Sequence, residues 1–353
     1  MKLLLLVLLF CVISVSADTK KCRALALSGG GSKGAYEAAV YVGLVNNLPV
    51  EEVSYDVITG VSAGSLNTLG LSVFEPSDVV NSSDFIFALW NSISDYTVYK
   101  NWPLGIAQGL FKKSGIFDLA PGFDWVSERL GDRTVKRKVS FATVDANAAE
   151  YVVWDYNATD TQPADIIESA FASSSIPGIF PHRSRGDKVL IDGGTVWNLD
   201  LASAIRRCRE VVDDDKDIIV DMVLCGDHKL DRKDDLDRYS TLDHLMRSIE
   251  VHQFYNGMSD YQSSMILFPE VDFRYFIAPS ESINTALFPL DFTQKQVDIC
   301  FEVGQKDAKN SIKLGHGGYA KVAMEYVKKL RNGEDVYLRT MIEEALNKTQ
   351  ASS

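Results

Sequence analysis

The stretch Ala24-Leu-Ala-Leu-Ser-Gly-Gly-Gly-Ser-Lys-Gly-Ala-Tyr36 constrains the fold of this 353-residue chain more than any other. Its apolar beginning predicts a buried strand, and the apolar positions from Ser32 to Asn47 recur at helical spacing. Between the two, Gly29, Gly31 and Gly34 satisfy G-x-G-x-x-G, a pattern that lets the backbone turn sharply and approach an anion. The sequence therefore predicts a strand–turn–helix unit with a site for negative charge at the turn.

A second glycine motif lies at the next predicted turn. Ser54 to Thr59 predicts a strand, Ala63 to Val73 predicts a helix, and Gly60-Val-Ser-Ala-Gly64 joins them. This is G-x-S-x-G in the strand–turn–helix setting of a nucleophile elbow. A Cβ in place of either glycine would collide in the strained turn, so the motif predicts that Ser62 is a nucleophile.

Nucleotide binding by the first glycine turn is disfavoured. A dinucleotide site has an acidic residue about 20 residues after the glycines, at the end of the second strand. Here Asp56 lies near the beginning of that strand. A Walker A loop requires Ser or Thr after its lysine, whereas Lys33 is followed by Gly34. We therefore predict no nucleotide partner.

The anion that the first glycine turn would bind is then best explained as a transient oxyanion. When a serine attacks an ester, charge develops on the carbonyl oxygen and needs preorganised donors. The N–H groups of Gly30 and Gly31 stand at the head of a predicted helix. We predict that Gly29, Gly30 and Gly31 form an oxyanion hole.

Two residues compete as the base for Ser62. Asp192 directly follows a short apolar strand in Val189-Leu-Ile-Asp-Gly-Gly194, although Asp-Gly is also common in ordinary turns. His316, in Leu-Gly-His-Gly-Gly, has the chain position expected of a Ser–Asp–His esterase, and it also fits an exposed turn. The residues alone leave both possibilities open.

The rest of the chain alternates strands with helices. Predicted strands are Cys22–Leu27, Lys138–Thr143, Glu150–Asp155, Lys188–Ile191 and Ile218–Cys225; predicted helices are Ala164–Ser173, Leu201–Arg209, Leu242–Tyr255, Ile299–Leu314 and Tyr319–Leu330. This alternation predicts a three-layer α/β/α fold with a mostly parallel central sheet. We expect a catalytic core over residues 18–210. Residues 211–353 are the C-terminal part of the same domain, with its last strand, helices and a possible lid.

The N-terminus has the form of a signal peptide. Lys2 precedes an apolar stretch from Leu3 to Ser14, and Val15-Ser-Ala17 is a small-residue cleavage pattern. We predict that residues 1–17 are removed in the secretory pathway and that the protein is secreted or endolysosomal/vacuolar. Glycosylation acceptor triplets begin at Asn81, Asn157 and Asn347.

Cysteine count and charge limit the partners. Cys22, Cys208, Cys225 and Cys300 follow the signal peptide and allow three pairings, with one or two disulfides expected. Their spacing does not fit a zinc site, and we predict no metal and no cofactor. A net charge of −12 disfavours attraction to nucleic acid, or to anionic lipid, by charge alone. Any membrane contact would have to be mainly apolar.

Four ordered motifs resemble those of the patatin-like phospholipases: Gly29–Gly34, Gly60–Gly64, Ala172-Ser-Ser-Ser-Ile-Pro-Gly-Ile-Phe-Pro181 and Asp192-Gly-Gly194. The resemblance extends from about Leu25 to Leu201. It implies a patatin-like fold and hydrolysis of lipid acyl esters by a Ser–Asp dyad, with Ser62 as nucleophile and Asp192 as base. Membrane or micellar lipid would be the substrate, with peripheral membrane contact. Ser175 departs from the family pattern, which often has a small apolar residue there.

An inactive relative on the same fold is the rival prediction. A glycosylated storage or binding protein would need none of the catalytic groups, yet Ser62, Asp192 and the three glycines are all present. The dyad is chemically reasonable only if Asp192 is desolvated, because an aspartate with a pKa near 3.9 is a poor base for a hydroxyl. Burial beside an apolar acyl pocket would raise that pKa.

Overall fold

The computed structural model of the chain describes residues 20–160, 162–226, 235–283 and 290–352. The predicted signal peptide lies outside the described residues.

The described strands are β1 (Cys22–Leu27), β2 (Val57–Val61), β3 (Lys100–Asn101), β4 (Phe117–Asp118), β5 (Lys138–Asp145), β6 (Glu150–Tyr156), β7 (Arg183–Arg185), β8 (Lys188–Asp192), β9 (Ile218–Val223) and β10 (Asp272–Ile277). The described helices are α1 (Gly34–Val45), α2 (Val50–Val53), α3 (Ala63–Ser72), α4 (Val79–Asn91), α5 (Asp95–Val98), α6 (Gly105–Lys112), α7 (Ala120–Leu130), α8 (Pro163–Ser173), α9 (Leu201–Cys208), α10 (Thr241–Leu267), α11 (Gln294–Leu314), α12 (Gly318–Arg331) and α13 (Leu338–Ser352).

The central sheet has the order β10-β9-β1-β2-β5-β8-β7, and β6 pairs with β5. Strands β10, β9, β1, β2 and β5 run parallel, whereas β6 and β8 are antiparallel to β5. Within β5, the last three residues, Thr143 to Asp145, pair with β8. The residue before them, Ala142, pairs with the last residue of β2. The carboxyl ends of β1 and β2 and the end of β8 therefore meet at one edge of the sheet.

Helices cover both faces of the sheet. One apolar cluster joins α1, α3, α8 and α11 to one face, and a second joins α9, α12 and α13 to the other. The parallel strands read as continuous apolar runs because both of their faces are buried. The predicted three-layer α/β/α class with a mostly parallel sheet is confirmed.

Most predicted elements are present, but several helices and short strands, among them α4, α7 and α13, were not predicted. Three further differences concern the sheet and α10. β2 begins at Val57 and continues through Gly60 and Val61, so the elbow serine directly follows the strand. α10 is much longer than predicted and ends at Leu267. The strand β10 was not predicted, because Arg274 interrupts its apolar run. Strands β9 and β10, from the C-terminal part of the chain, lie in the same sheet as β1.

Of the possible cysteine pairings, the structure contains one disulfide bond, and two cysteines remain as thiols. Cys22, at the start of β1, is bonded to Cys208, at the end of α9. Cys225 and Cys300 are buried and form no disulfide bond. The bridge joins the sheet to a helix on one of its faces.

The glycosylation acceptors lie on different elements. Asn81 is exposed on α4, Asn347 is exposed on α13, and Asn157 is half-buried after β6. Their glycosylation stays a prediction. In the part of the chain that the structure describes, no helix has the length and apolar character needed to cross a bilayer.

Candidate active site

Ser62 sits in a strained turn between β2 and α3. Its φ is 53° and its ψ is −121°, values that a residue with a side chain rarely adopts. A Cβ on Gly60 would lie 2.4 Å from the Gly64 oxygen, and one on Gly64 would lie 2.5 Å from the Leu27 oxygen. Only glycine fits at either place, so the sequence pattern and the sharp turn have the same steric cause.

Two serines at the end of α8 hold this turn. The Ser62 N–H donates to Ser173 Oγ over 2.9 Å, and Ser174 Oγ donates to the Ser62 oxygen over 2.9 Å. Ser173 Oγ in turn donates to the oxygen of Ala142 in β5. Because both the N–H and the oxygen of Ser62 have partners, its backbone is fixed in the strained conformation. The Ser62 N–H is therefore not free to act as an oxyanion donor.

Asp192 ends β8 beside Ser62. It pairs with Thr143 of β5, one residue beyond Ala142, the partner of Val61 at the end of β2. Its N–H donates to the Ser175 oxygen over 3.0 Å, and its Oδ1 accepts the Gly194 N–H over 2.7 Å. The strand register and two hydrogen bonds thus orient the carboxyl group.

The environment of Asp192 changes its acidity. The carboxyl is buried, and desolvation raises its pKa to about 7, although hydrogen bonds from the Ser62 side chain and the Gly194 N–H partly oppose this. The Ser62 side chain therefore lies close enough to the Asp192 carboxyl to affect its pKa, and both residues are buried. A carboxylate with this pKa can accept a proton at neutral pH and return it.

The close approach of the two turns depends on Gly193. A Cβ there would lie 2.4 Å from the Ala142 oxygen and 3.2 Å from Val61 Cγ1. Any other residue would push the Asp192 turn away from the end of β2. The Asp-Gly-Gly sequence thus has a packing reason that an ordinary surface turn would lack.

The first glycine turn lies next to the elbow, and its three glycines differ. The Gly29 N–H donates to the Asn198 oxygen over 3.1 Å, so it has no N–H left for a ligand. Among the described residues, no acceptor is found for the N–H groups of Gly30 and Gly31. Gly31 has a φ of 59°, which favours glycine. The structure therefore disfavours Gly29 as an oxyanion donor, and the role of Gly30 and Gly31 stays a prediction.

His316 lies far from Ser62. Its Nδ1 is 3.4 Å from Oδ2 of Asp272, the first residue of β10, and its side chain is exposed. β10 is parallel to β9 and β1, so Asp272 is level with the beginning of β1, whereas Ser62 follows the end of β2. The structure thus places His316 at the opposite edge of the sheet and does not bring it together with Ser62.

An apolar pocket opens at Ser62 and Gly31. Nearly all of its lining surface is apolar. Its walls come mainly from α3, α4, α7 and the segment 176–180, with Trp90, Trp125, Phe171, Phe180 and Phe292 among the lining side chains. Such a pocket suits a hydrocarbon chain whose carbonyl lies at Ser62.

A buried glutamate lies on the helix that begins at the glycine turn. Glu37, in the first turn of α1, accepts a hydrogen bond from Asn67 Nδ2 over 2.9 Å. Asn67 also donates to the Gly34 oxygen and accepts from Trp90 Nε1 over 2.8 Å. Burial raises the pKa of Glu37 to about 8, so this carboxyl is mainly protonated at neutral pH.

We expect Glu37→Gln to flatten the dependence of stability on pH. The unfolded Glu37 ionises near pH 4.5, whereas the folded one holds its proton to about pH 8. Stability contributed by the protonated form is therefore lost as pH rises between these values, by on the order of a few kcal/mol. Gln cannot ionise, so the variant should lose less urea resistance than the wild type between about pH 5 and about pH 8. Equal losses in both proteins would show that folded Glu37 is already ionised.

Several residues of the site were not predicted from the sequence. Ser173 and Ser174 belong to the third of the four motifs but had no predicted role, and nothing in the sequence pointed to Asn198. Asn198 Nδ2 donates to the Gly29 oxygen over 3.0 Å, which fixes Gly29 from both sides. Desolvation raises the pKa of Asp260, on the distant α10, to about 7, and the backbone N–H groups of Asn198 and Leu199 partly oppose this. Ser175, the departure from the family pattern, is buried and its hydroxyl donates to the Phe171 oxygen.

Comparison with known proteins agrees with this arrangement. A family model described as patatin-like phospholipase matches residues 25–205, just over half of the chain. This chain belongs to the patatin-like phospholipase family. Membership supports a lipid hydrolase in general. The matched range contains Ser62, Asp192 and the three glycines of the first turn, but His316 lies outside it.

Individual relatives of this patatin-like protein are distant. No curated protein sequence matches it. Among solved structures, the crystal structure of VipD from Legionella pneumophila is similar, at 9% identity and a TM-score of 0.35. That match covers 94% of this chain and 80% of the VipD chain.

Proposed function

We propose that this protein is a phospholipase A-type lipid acyl hydrolase that uses a Ser62–Asp192 dyad. The observation that carries the proposal is a strained, buried Ser62 at an apolar pocket, with the buried, desolvated carboxyl of Asp192 close enough for Ser62 to affect its pKa. Family membership supports the lipid substrate. A storage or binding protein would gain nothing from the strain or from a buried carboxyl.

The proposed reaction has two steps. Asp192 takes the Ser62 proton as Ser62 Oγ attacks the ester carbonyl, and the Gly30 and Gly31 N–H groups stabilise the oxyanion. The protonated Asp192 then gives the proton to the leaving alcohol. In the second step, water deprotonated by Asp192 attacks the acyl carbonyl, the bond between the acyl carbon and Ser62 Oγ breaks, and Asp192 returns the proton to Ser62 Oγ as the fatty acid leaves. The acyl chain would occupy the apolar pocket throughout.

The direct test is the hydrolysis of a phospholipid and of a short-chain chromogenic ester. We expect both activities in the wild type, loss of both in Ser62→Ala, and retention of both after treatment with a strong chelator. Complete loss that calcium restores would contradict a metal-free dyad. Among the described residues, no three His, Cys, Asp or Glu side chains cluster as a metal site would require. Product analysis would identify the acyl position.

The rate should depend on pH through Asp192. A base acts only when it is deprotonated, so we expect kcat/KM to fall as pH drops below about 7, the raised pKa of Asp192. An Asp with an ordinary pKa would keep full activity down to about pH 5. Initial rates with the soluble chromogenic ester, measured between these pH values, distinguish a raised pKa of Asp192 from an ordinary one. A rate that does not change with pH in this range would contradict the desolvated base.

We also propose that the protein enters the secretory pathway and is secreted or endolysosomal. This rests on the form of residues 1–17 and on the Cys22–Cys208 bridge, which is typical of oxidising compartments. The exposed Asn81 and Asn347 would be accessible for glycosylation there. N-terminal sequencing of the mature protein, with a glycosidase mobility shift, tests both points.

A further inference from the structure

The short helix α6 presents apolar side chains to solvent. Phe111 is 83% exposed, Leu104 is 69% exposed and Leu110 is 62% exposed. The inner side of α6 is formed by Gly109, where a Cβ would lie 2.6 Å from the Ile116 Cα. A helix on the surface of a soluble protein normally has the reverse arrangement, with its apolar side inward. We call Leu104, Ile106, Leu110 and Phe111 the α6 patch.

The charge around the α6 patch differs from that of the whole protein. Between Asp95 and Asp118 the chain has three lysines and no acidic residue, although the net charge of the protein is −12. Lys112 and Lys113 directly follow the patch, and Lys113 Nζ lies 4.8 Å from the centre of the Trp102 ring. An apolar surface bordered by lysines and a tryptophan is typical of helices that bind in the lipid interface.

The α6 patch is connected to the wall of the apolar pocket. Trp102 Nε1 donates to the Gly115 oxygen over 2.9 Å, which ties the start of the segment to its end. The N–H groups of Ile116 and Phe117 donate to the oxygens of Gly178 and Ile179 over 3.1 and 3.0 Å. The neighbouring Ile176 and Phe180 line the pocket. A surface that receives α6 would therefore lie next to the segment that forms the pocket wall.

We propose that the α6 patch docks this protein on anionic lipid surfaces. Phe111, Leu110 and Leu104 enter the interface between headgroups and acyl chains, and Lys112 and Lys113 contact the anionic headgroups. This inference rests on the proposed function in one respect, namely that docking on the lipid surface would present lipid to the pocket. A second copy of this chain fits less well, because a symmetric contact between two α6 patches would bring the lysines of both copies together.

The test measures binding in the catalytically inactive Ser62→Ala chain, so that vesicles stay intact. Sedimentation with phosphatidylcholine–phosphatidylglycerol vesicles should show binding that Leu110→Ser with Phe111→Ser weakens at least about tenfold. The matched control is Ile266→Ser with Leu267→Ser on α10. Those side chains are 79% and 70% exposed but are followed by Glu270 and Asp272 rather than by lysines. The control should bind like the parent chain.

The lysines give a second, independent measurement. Lys112→Gln should weaken binding to the anionic vesicles about fivefold, with little effect on pure phosphatidylcholine vesicles. In the active chain, the Leu110→Ser, Phe111→Ser variant should keep its rate on the soluble ester and lose hydrolysis of vesicle lipid.

Three results would overturn the proposal. They are unchanged binding in the α6 variant, an equal loss in the α10 control, and a dimer in sedimentation velocity that only the α6 variant dissociates. Strong vesicle binding by a chain that hydrolyses no ester would instead refute the proposed function and leave the docking surface standing.

Discussion

Replacing Asp192 with asparagine is expected to lower kcat at least about a hundredfold, and Ser62→Ala should lower it at least as much. Asparagine has nearly the same shape, and its amide oxygen can still accept the Gly194 N–H, which now donates to Asp192 Oδ1 over 2.7 Å. It cannot take a proton from Ser62. Steady-state rates on the soluble ester measure the loss.

Stability separates this chemical effect from misfolding. Desolvation raises the pKa of Asp192 to about 7, so above that pH the folded protein carries the cost of a buried charge. The asparagine side chain removes this cost because it stays neutral. Asp192→Asn should therefore be at least as stable as the wild type at about pH 8, where the buried carboxyl of the wild type is mainly ionised. The double variant with Ser62→Ala should lose little beyond the worse single variant, because residues that act as a unit are not additive.

His316→Ala is the matched control for the base. His316 is exposed beside Asp272 at the opposite edge of the sheet, so its loss should leave kcat nearly unchanged. A Ser–Asp–His esterase would give the reverse ranking, with His316→Ala inactive and Asp192→Asn active. That ranking would overturn the dyad.

The second large effect is expected from the glycine turn. Gly31→Ala should lower kcat by about 10² to 10³ with little change in KM, because the oxyanion forms only in the transition state. The φ of 59° at Gly31 means that alanine also costs about 1–2 kcal/mol of stability. An organophosphonate should label Ser62 more slowly in this variant. Gly30 is unsuitable for the test, because a Cβ there would lie 2.2 Å from Cys225 Cβ.

Gly186→Ala is the matched control for backbone strain. Gly186 lies in the turn between β7 and β8 with a φ of 64°, and a Cβ added there would have no atom within 4 Å. This variant should lose a similar amount of thermal stability and keep its kcat. Equal kcat values for Gly31→Ala and the wild type, together with a melting-temperature increase on adding NAD or ATP, would contradict the oxyanion assignment.

The sequence by itself determined the fold class and the two turns that carry Ser62 and Asp192. Strands buried on both faces are nearly continuous apolar runs, and the turns need glycine for steric reasons that act over a few residues. Gly60, Gly64 and Gly193 each leave no room for a Cβ. Such local requirements can be recognised in the chain without knowledge of its long-range contacts.

Only the tertiary structure showed which of the two candidate bases lies near Ser62 and revealed the groups that support the site. Asp192 meets Ser62 because β8 pairs with β5 just beyond the end of β2, and His316 is excluded by the direction of β10. β10 itself escaped prediction because its buried Arg274 donates to Asp221 of β9, a partner 53 residues away. Pairings between distant residues depend on strand order and register, and no local pattern in the chain encodes them.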